Sequence, residues 1–477
     1  MAVTIIEQAP LYNIAPIGQE MMFVVSNDDA VTNQLNVKFI VRIYVSSTTP
    51  PVLSDPDDVI GSFKVTPNNE GRGMIDISQI VGNYVKADNL ASNGSAFKTQ
   101  TTSSNEPHPV HLINEYSLSD NSIRHLAIRF SVEYLNTSNN TVEEDTGARV
   151  SSEAYKVFNG YLKSTDIKYV GTGTTNTGFF GYDISDFEIG ASDKKFLTNA
   201  PVTQYANGGD YGTLSFLTTS SIMGTAAYKA KFRYYDSSGT VQGNDNVFTT
   251  TATGAYSTWG SEASKQLLHL GCFPANLRNT STDFKTLYDA GTLDGGYYTV
   301  RLEDASNDAM TQSYTIHLNC PDTKGYESIR LCWLNQWGAW DYYTFTKKSI
   351  RKTSTKGTTY KQLGGSWNGS MYTPYGYKGG TKTFRVNATE TITMNTDFVT
   401  ENDTVMFEEL TNSPEIYMLE PYKDTAASSG TTELLNEYVT PVRLKTSSFT
   451  KKTIANDKLM QYTFEVEKSR ILRTQSI

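Results

Sequence analysis

Cysteine is almost missing from this chain: there are three in 477 residues, at positions 272, 320 and 332. The odd number and the lack of any CxxC pair exclude a disulfide framework and a zinc ribbon. Histidine is scarce as well, five in all, and only His108 and His111 stand close together. An HxxH pair with no cysteine or carboxylate at ligand spacing reads as two solvated loop histidines. His125 and His317 read as polar-face residues of strands. Long apolar runs are absent too, Met21–Val25 being among the longest. A membrane-spanning helix needs about 18 or more apolar residues, so no membrane insertion is expected. Basic residues are lacking at the N-terminus, where Glu7, Glu20, Asp28 and Asp29 precede the first of them, Lys38. A secretory leader starts basic and continues apolar, so the expectation is a soluble chain made in a cytosol.

Catalytic signatures are equally thin. No GxSxG elbow occurs. A Ser–His–Asp triad is not excluded by that, because its members lie far apart in a chain. Cys332 falls inside an apolar run and reads as a buried, inert thiol. Glu408 and Glu409 are neighbours on a predicted helix, about 100° apart, and cannot face one sugar together. Asp341, between Trp340 and Tyr342, looks both like an acid in a sugar site and like a tight hairpin edge. Asp55, Asp57 and Asp58 before Gly61 lack the ligand order of a calcium loop. Gly171–Gly178 lacks the lysine of a phosphate loop. The reading is therefore of no enzyme, no metal and no cofactor.

What the chain does contain is β material. Aromatics make up 12% of it, with 35 glycines, while charged residues are only 19%, too few for a disordered polyelectrolyte. Asn36–Val45 alternates apolar and polar residues with period two, as do Ile123–Leu135 and the stretch Met460, Tyr462, Phe464, Val466. Asp210–Leu217, Ala226–Tyr235, Tyr297–Leu302 and Gln312–Leu318 read as further strands, and Asp236–Gly239 as a hairpin turn. Ile329–Leu334 reads as a central strand, buried on both faces. Short helices are expected over Ser264–Leu270, over Asp283–Tyr288 and near 401–411. The last would be capped by Thr400 with Asp403 and stopped by Pro414. The predicted fold is all-β, mainly antiparallel β-sandwich domains with long loops and a few short helices. Three domains are expected: 1–160 with an extended loop near 86–109, 161–325, and 326–477.

Two features rise above this background. Four of the five tryptophans, Trp333, Trp337, Trp340 and Trp367, fall within 35 residues. Trp337 sits in the predicted turn Asn335–Gly338. Exposed tryptophans stack on sugars or anchor interfaces, whereas a turn folded over its sheet buries them. Second, there is no acid from Tyr342 to Thr389, where nine bases lie: Lys347, Lys348, Arg351, Lys352, Lys356, Lys361, Lys378, Lys382 and Arg385. Against a net charge of −9 this leaves −18 for the remainder. Contact between copies, through opposite patches, is one use of that asymmetry. A solvated hairpin is the plain alternative. The negative net charge and the lack of any nucleic-acid motif argue against nucleic acid. Trp337, Trp340, Trp367, Lys347, Lys348, Arg351, Lys352, Lys382 and Arg385 are therefore the candidate interface or glycan contacts.

Tyr326–Phe345 (YESIRLCWLNQWGAWDYYTF) carries a family likeness, as do Lys195–Pro201 (KFLTNAP), Leu270-Gly271 with Pro274–Leu277 (PANL), Pro441–Leu444 (PVRL) and Asn456–Val466. Together they resemble virion structural proteins of tailed bacteriophages, in particular tail-region proteins of phages of marine and gut bacteria. Ala339 departs from the pattern, which has a second glycine there. The resemblance implies a ring, adaptor, baseplate or fibre-attachment component of the virion tail region, assembled in the host cytoplasm. Its partners would be copies of itself and other virion proteins, and for a receptor-binding member a host surface glycan.

Overall fold

A computed structural model describes residues 2–47, 50–53, 58–90, 109–113, 115–119, 121–169, 180–189, 193–218, 229–249, 267–318, 325–367, 369–421, 438–451 and 460–476. Strands dominate, and the helices are few and short, so the all-β expectation holds. By internal contacts the chain forms two compact units. The first comprises Met1–Asn319 with Leu334–Asp341, and the second Cys320–Trp333, Tyr342–Thr425 and Gly430–Ile477.

The first unit begins with a sandwich-like pair of sheets. One has three antiparallel strands in the order Ile5–Gln8, Met22–Ser26, Arg72–Asp76. The other runs Ile14–Pro16, Tyr155–Phe158, Ile123–Asn136, Leu35–Ser46, Val59–Val65, with Thr141–Ser151 also on Ile123–Asn136. The period-two apolar residues of the sequence meet between them: Phe23, Val25, Phe39, Val41, Ile128 and Phe130 share one core. Phe23 meets Tyr155 edge-on with ring centroids 5.7 Å apart, a geometry aromatic pairs favour.

Farther along, a four-stranded sheet (Glu188–Ile189, Thr213–Thr218, Leu267–Gly271, Tyr116–Leu118) is accompanied by a five-stranded one (Thr203–Ala206, Tyr314–Leu318, Tyr297–Glu303, Lys229–Tyr235, Val241–Thr249). The buried Tyr116 hydroxyl ties the two, donating to Phe248 O (3.0 Å) and accepting from Ala230 N (2.9 Å). Asp236–Gly239 turns as expected. Asp236 Oδ1 accepts from the amides of Ser238 and Thr240, and Gly239 takes φ +82°.

Two expectations change. Leu267–Gly271 is a strand with neighbours on both sides, not a helix. His111 is buried in a short 3-10 turn with its ring against Trp340, not solvated, while His125 lies in its strand on the face opposite the core residues Leu126 and Ile128, where it is covered. His108, Gly171–Gly178 and most of the 86–109 segment lie outside the described residues, although Leu90 pairs with Pro109 at that segment's ends.

An eight-stranded sheet runs Trp340–Phe345, Ile329–Leu334, Ile416–Leu419, Val439–Leu444, Thr463–Lys468, Gly380–Asn395, Ile350–Gln362, with Arg473–Ser476 on Gly380–Asn395. Ile329–Leu334 is buried along its whole length, as its apolar run demands. Helix Thr404–Asn412 packs on the sheet through Phe407, 5.5 Å from Phe464 and 4.9 Å from Tyr343 between centroids. Before it, the Asp403 carboxylate accepts from the backbone amide (2.7 Å) and hydroxyl (3.0 Å) of Thr400.

Candidate docking surfaces

The tryptophans separate into buried and exposed. Trp337 belongs to the turn Asn335–Gly338, which Asn335 organises: its Oδ1 accepts from the amides of Trp337 and Ala339, and its Nδ2 donates to Leu197 O. Gly338 has φ +72°, and a Cβ there would stand 2.4 Å from Asn159 O, so this position requires glycine. Trp337 itself is 2% exposed, packed on Phe187, with its Nε1 donating to the Tyr182 hydroxyl at 3.3 Å. Trp340 is 1% exposed, and its Nε1 donates to Asp88 O at 2.9 Å. Burial withdraws both rings from glycan contact. Ala339 is buried in the same cluster as Trp337, which explains an apolar residue where a glycine is expected. Asp341 is buried too and accepts from the Thr198 hydroxyl, so its carboxylate faces protein, not a sugar.

Asp88 anchors a group that sequence reasoning missed. Ser215 and His269 stand opposite each other on adjacent strands, with Ser215 Oγ 2.8 Å from His269 Nδ1. His269 Nε2 lies 3.5 Å from Asp88 Oδ2, beyond good hydrogen-bond range. Asp88 also accepts from Asn121 N and Ser122 Oγ. Burial alone would push the Asp88 carboxyl up, but its polar neighbours, the His269 ring first and then Ser119 and Ser122, hold it below its ordinary value. The residue types are those of a nucleophilic triad. However, Ser215, His269 and Asp88 are each 1% exposed or less, and no substrate reaches a serine so placed. The chemistry this group performs is cohesion: it satisfies polar atoms inside the core.

Trp367 is different. It sits at 67% exposure on the small hairpin Gly365–Trp367/Tyr372–Pro374. That hairpin caps a longer one, Ile350–Gln362 paired with Gly380–Asn395. Nearly every residue from Ile350 to Lys361 is exposed, and past Arg385, where pairing with Arg473–Ser476 ends, the two strands of this arm continue as a two-stranded ribbon toward the tip. Leu363, Met371, Tyr372, Tyr377 and Phe384 are at least half exposed around the tip.

The nine bases divide along this arm. At its base Arg351 binds Glu327 and Glu390, and Lys347 lies 2.8 Å from Asp397. Arg351 and Glu327 reinforce each other, the guanidinium pushed up and the carboxyl held down by their mutual hydrogen bonds. Farther out the pairing register puts Lys352 opposite Thr391, Lys356 opposite Asn387, Arg385 opposite Thr358 and Lys382 opposite Tyr360. Opposed residues share a face, so these four cations line one side. Lys382 Nζ donates to Tyr377 O, Arg385 Nε donates to Asn387 Oδ1, and Lys378 lies over the Tyr375 ring. Lys348 is exposed beside the base of the arm. The structure therefore brings Lys352, Lys382 and Arg385 together with Trp367 on one element, engages Lys347 and Arg351 at its base, and buries Trp337 and Trp340.

A concave surface lies in the first unit, a cavity of about 550 Å³. Its walls include Tyr12, Ile14, Met22, Val24, Met74 and Tyr182. Burial pushes the Tyr182 phenol up, and nearby Asp166, Asp186 and Asp183 push the same way against the Trp337 hydrogen bond. No group of three or more His, Cys, Asp or Glu able to hold a metal occurs among the described residues. No family model matches this chain, and no curated protein matches it.

Proposed function

We propose that this protein is a structural component of a tailed-bacteriophage virion, a tail-region ring, adaptor, baseplate or fibre-attachment protein. It works by assembling with copies of itself and with other virion proteins, and it turns over no substrate. Assembly takes place in the host cytoplasm and the finished location is the tail region. The observation carrying this reading is the arm. Its distal stretch, Thr359–Gln362 on Gly380–Thr383, is two-stranded among the described residues; such a ribbon is marginal in water, and large exposed aromatic and aliphatic side chains at its end are what an interface buries. The sequence likeness of Tyr326–Phe345 supplies the virion context. Strand addition and docking of such an arm need geometry, not a reactive centre, which agrees with a triad-like group locked in the core.

The test is immunogold labelling and copy-number proteomics of purified phage particles. The expected outcome is a fixed, multi-copy presence at the tail. Absence from particles, with the protein left in the infected-cell lysate, overturns the reading. Exposed Trp367 flanked by Tyr372 and Tyr377 supports a second reading, a module binding host surface glycan. Glycan-array binding lost on Trp367→Ala would favour it.

A further inference from the structure

The cavity of the first unit is built against the usual rule for its sheet. The three-stranded sheet packs Phe23, Val25 and Ile75 inward. An antiparallel sheet with one buried face normally turns polar residues outward. Here the outward face carries Val24 and Met74, paired across the sheet, and Met22 alongside the polar Ser26, Arg72 and Asp76, and Met74 is 56% exposed. These side chains floor a hollow of about 550 Å³, within the size range that takes ligands. Methionines adapt their shape to what they bind. The hollow also contains an unmet donor. Gln19 lines it, and its Nε2 is buried with no acceptor among the described residues. An incoming carbonyl would satisfy that amide.

Acidic side chains outnumber basic ones around the hollow, although Arg72, beside Met74 on the same sheet face, pairs with Glu7 and Asp28, and Lys195 lies 3.8 Å from Asp186. Glu20 is on its rim, and the lining segment 8–24 belongs to the first 37 residues, which contain Glu7, Glu20, Asp28 and Asp29 but no lysine or arginine. Asp166, Asp183 and Asp186 surround Tyr182 on the opposite wall. The distal arm of the second unit has the complementary character: Lys382 and Arg385 share one face, with Lys356 farther back, behind an exposed apolar tip of Leu363, Trp367 and Met371.

Resting on the assembly reading above, we infer that the arm tip of one copy seats in the N-terminal hollow of a second copy, its side chains on the methionine floor and its cationic face against the acidic rim. Such a contact joins two different patches, so it is head-to-tail, and repeating it closes a ring or extends a row. Each copy then gives one tip and receives one.

The test uses two full-length variants at exposed positions, where folding is not at stake: Trp367→Ala on the tip and Met74→Lys in the hollow. Sedimentation velocity and native mass spectrometry read the assembly, and thermal melting checks the fold. The wild-type protein is expected to self-associate, with each variant weakened at least tenfold at unchanged melting temperature. The deciding sample is an equimolar mixture of the two variants. One intact tip and one intact hollow remain, so heterodimers of one copy each are expected, and no longer species. Wild-type-like oligomers in either single variant overturn this docking while leaving assembly itself standing. A mixture that stays monomeric also overturns it. A wild-type protein monomeric at every concentration removes the assembly reading and the docking together.

Discussion

Glu144 sits where donors converge on one carboxylate. Arg42 reaches it with two nitrogens at 2.8 and 2.6 Å, Ser131 Oγ lies at 2.8 Å, and Arg149 at 3.0 Å. The Arg42 hydrogen bonds are the main cause that lowers the Glu144 carboxyl to about 2, against a smaller opposing push from burial. An unfolded glutamate titrates near 4.3, so this pair stabilises fully above that value and loses its contribution as the pH falls through about 2. Glu144→Gln is expected to cost about 1–2 kcal/mol at pH 7, the worth of a charged hydrogen bond discounted for partial exposure. The gap should close as the pH falls to about 2. Urea unfolding at several pH values checks this, and a gap independent of pH would rule it out. Residue-level legibility was uneven for a related reason. Ser215, His269 and Asp88 are dispersed over the chain, and nothing local in the sequence marks their meeting. Trp337 lies in a turn, where exposure is the ordinary expectation. Its burial depends on Tyr182 and Phe187, over a hundred residues away.

Elements with a sustained period were readable. Leu35–Ser46, Ile123–Asn136 and Thr463–Lys468 alternate because one or both of their faces meet a core, and the capped helix at 404–412 declares itself by Thr400, Asp403 and Pro414. Leu267–Gly271 misled because a short apolar run fits both periods, and only its neighbours Thr213–Thr218 and Tyr116–Leu118 decide the matter. The arm was legible as a window without acids, with a solvated hairpin as one reading, but its apolar tip was not, because position in the chain groups Trp367 with Trp337 and Trp340. The same aromatic deletion should thus read oppositely on two elements. Phe407→Ala, on a ring fully buried against Phe464 and Tyr343, is expected to cost about 3–4 kcal/mol. Trp367→Ala on the arm should change stability by less than about 0.5 kcal/mol. Chemical denaturation of the two variants makes the comparison, and equal losses would mean that the tip is structural.

At the level of the molecule, charge is sorted along the chain: an N-terminal segment without bases, a C-terminal window without acids. The screening length falls from about 10 Å at 0.1 M salt to about 3 Å at 1 M, so association driven by this sorting should weaken as salt rises. Sedimentation across that range tests it, and association that strengthens with salt would assign the contact to apolar surface alone. The arm has one more consequence. Ile350–Gln362 is the outermost strand of its sheet, thirteen residues of open backbone. An edge of that length invites runaway stacking into fibrils unless something interrupts it. Lys352, Lys356 and Lys361 recur along it, and a bulge between Thr358 and Thr359 breaks its line. Two neighbouring chains laid edge to edge would bring ammonium groups together at every turn of the pleat. The strand's open backbone is thereby kept from templating a growing stack of like chains.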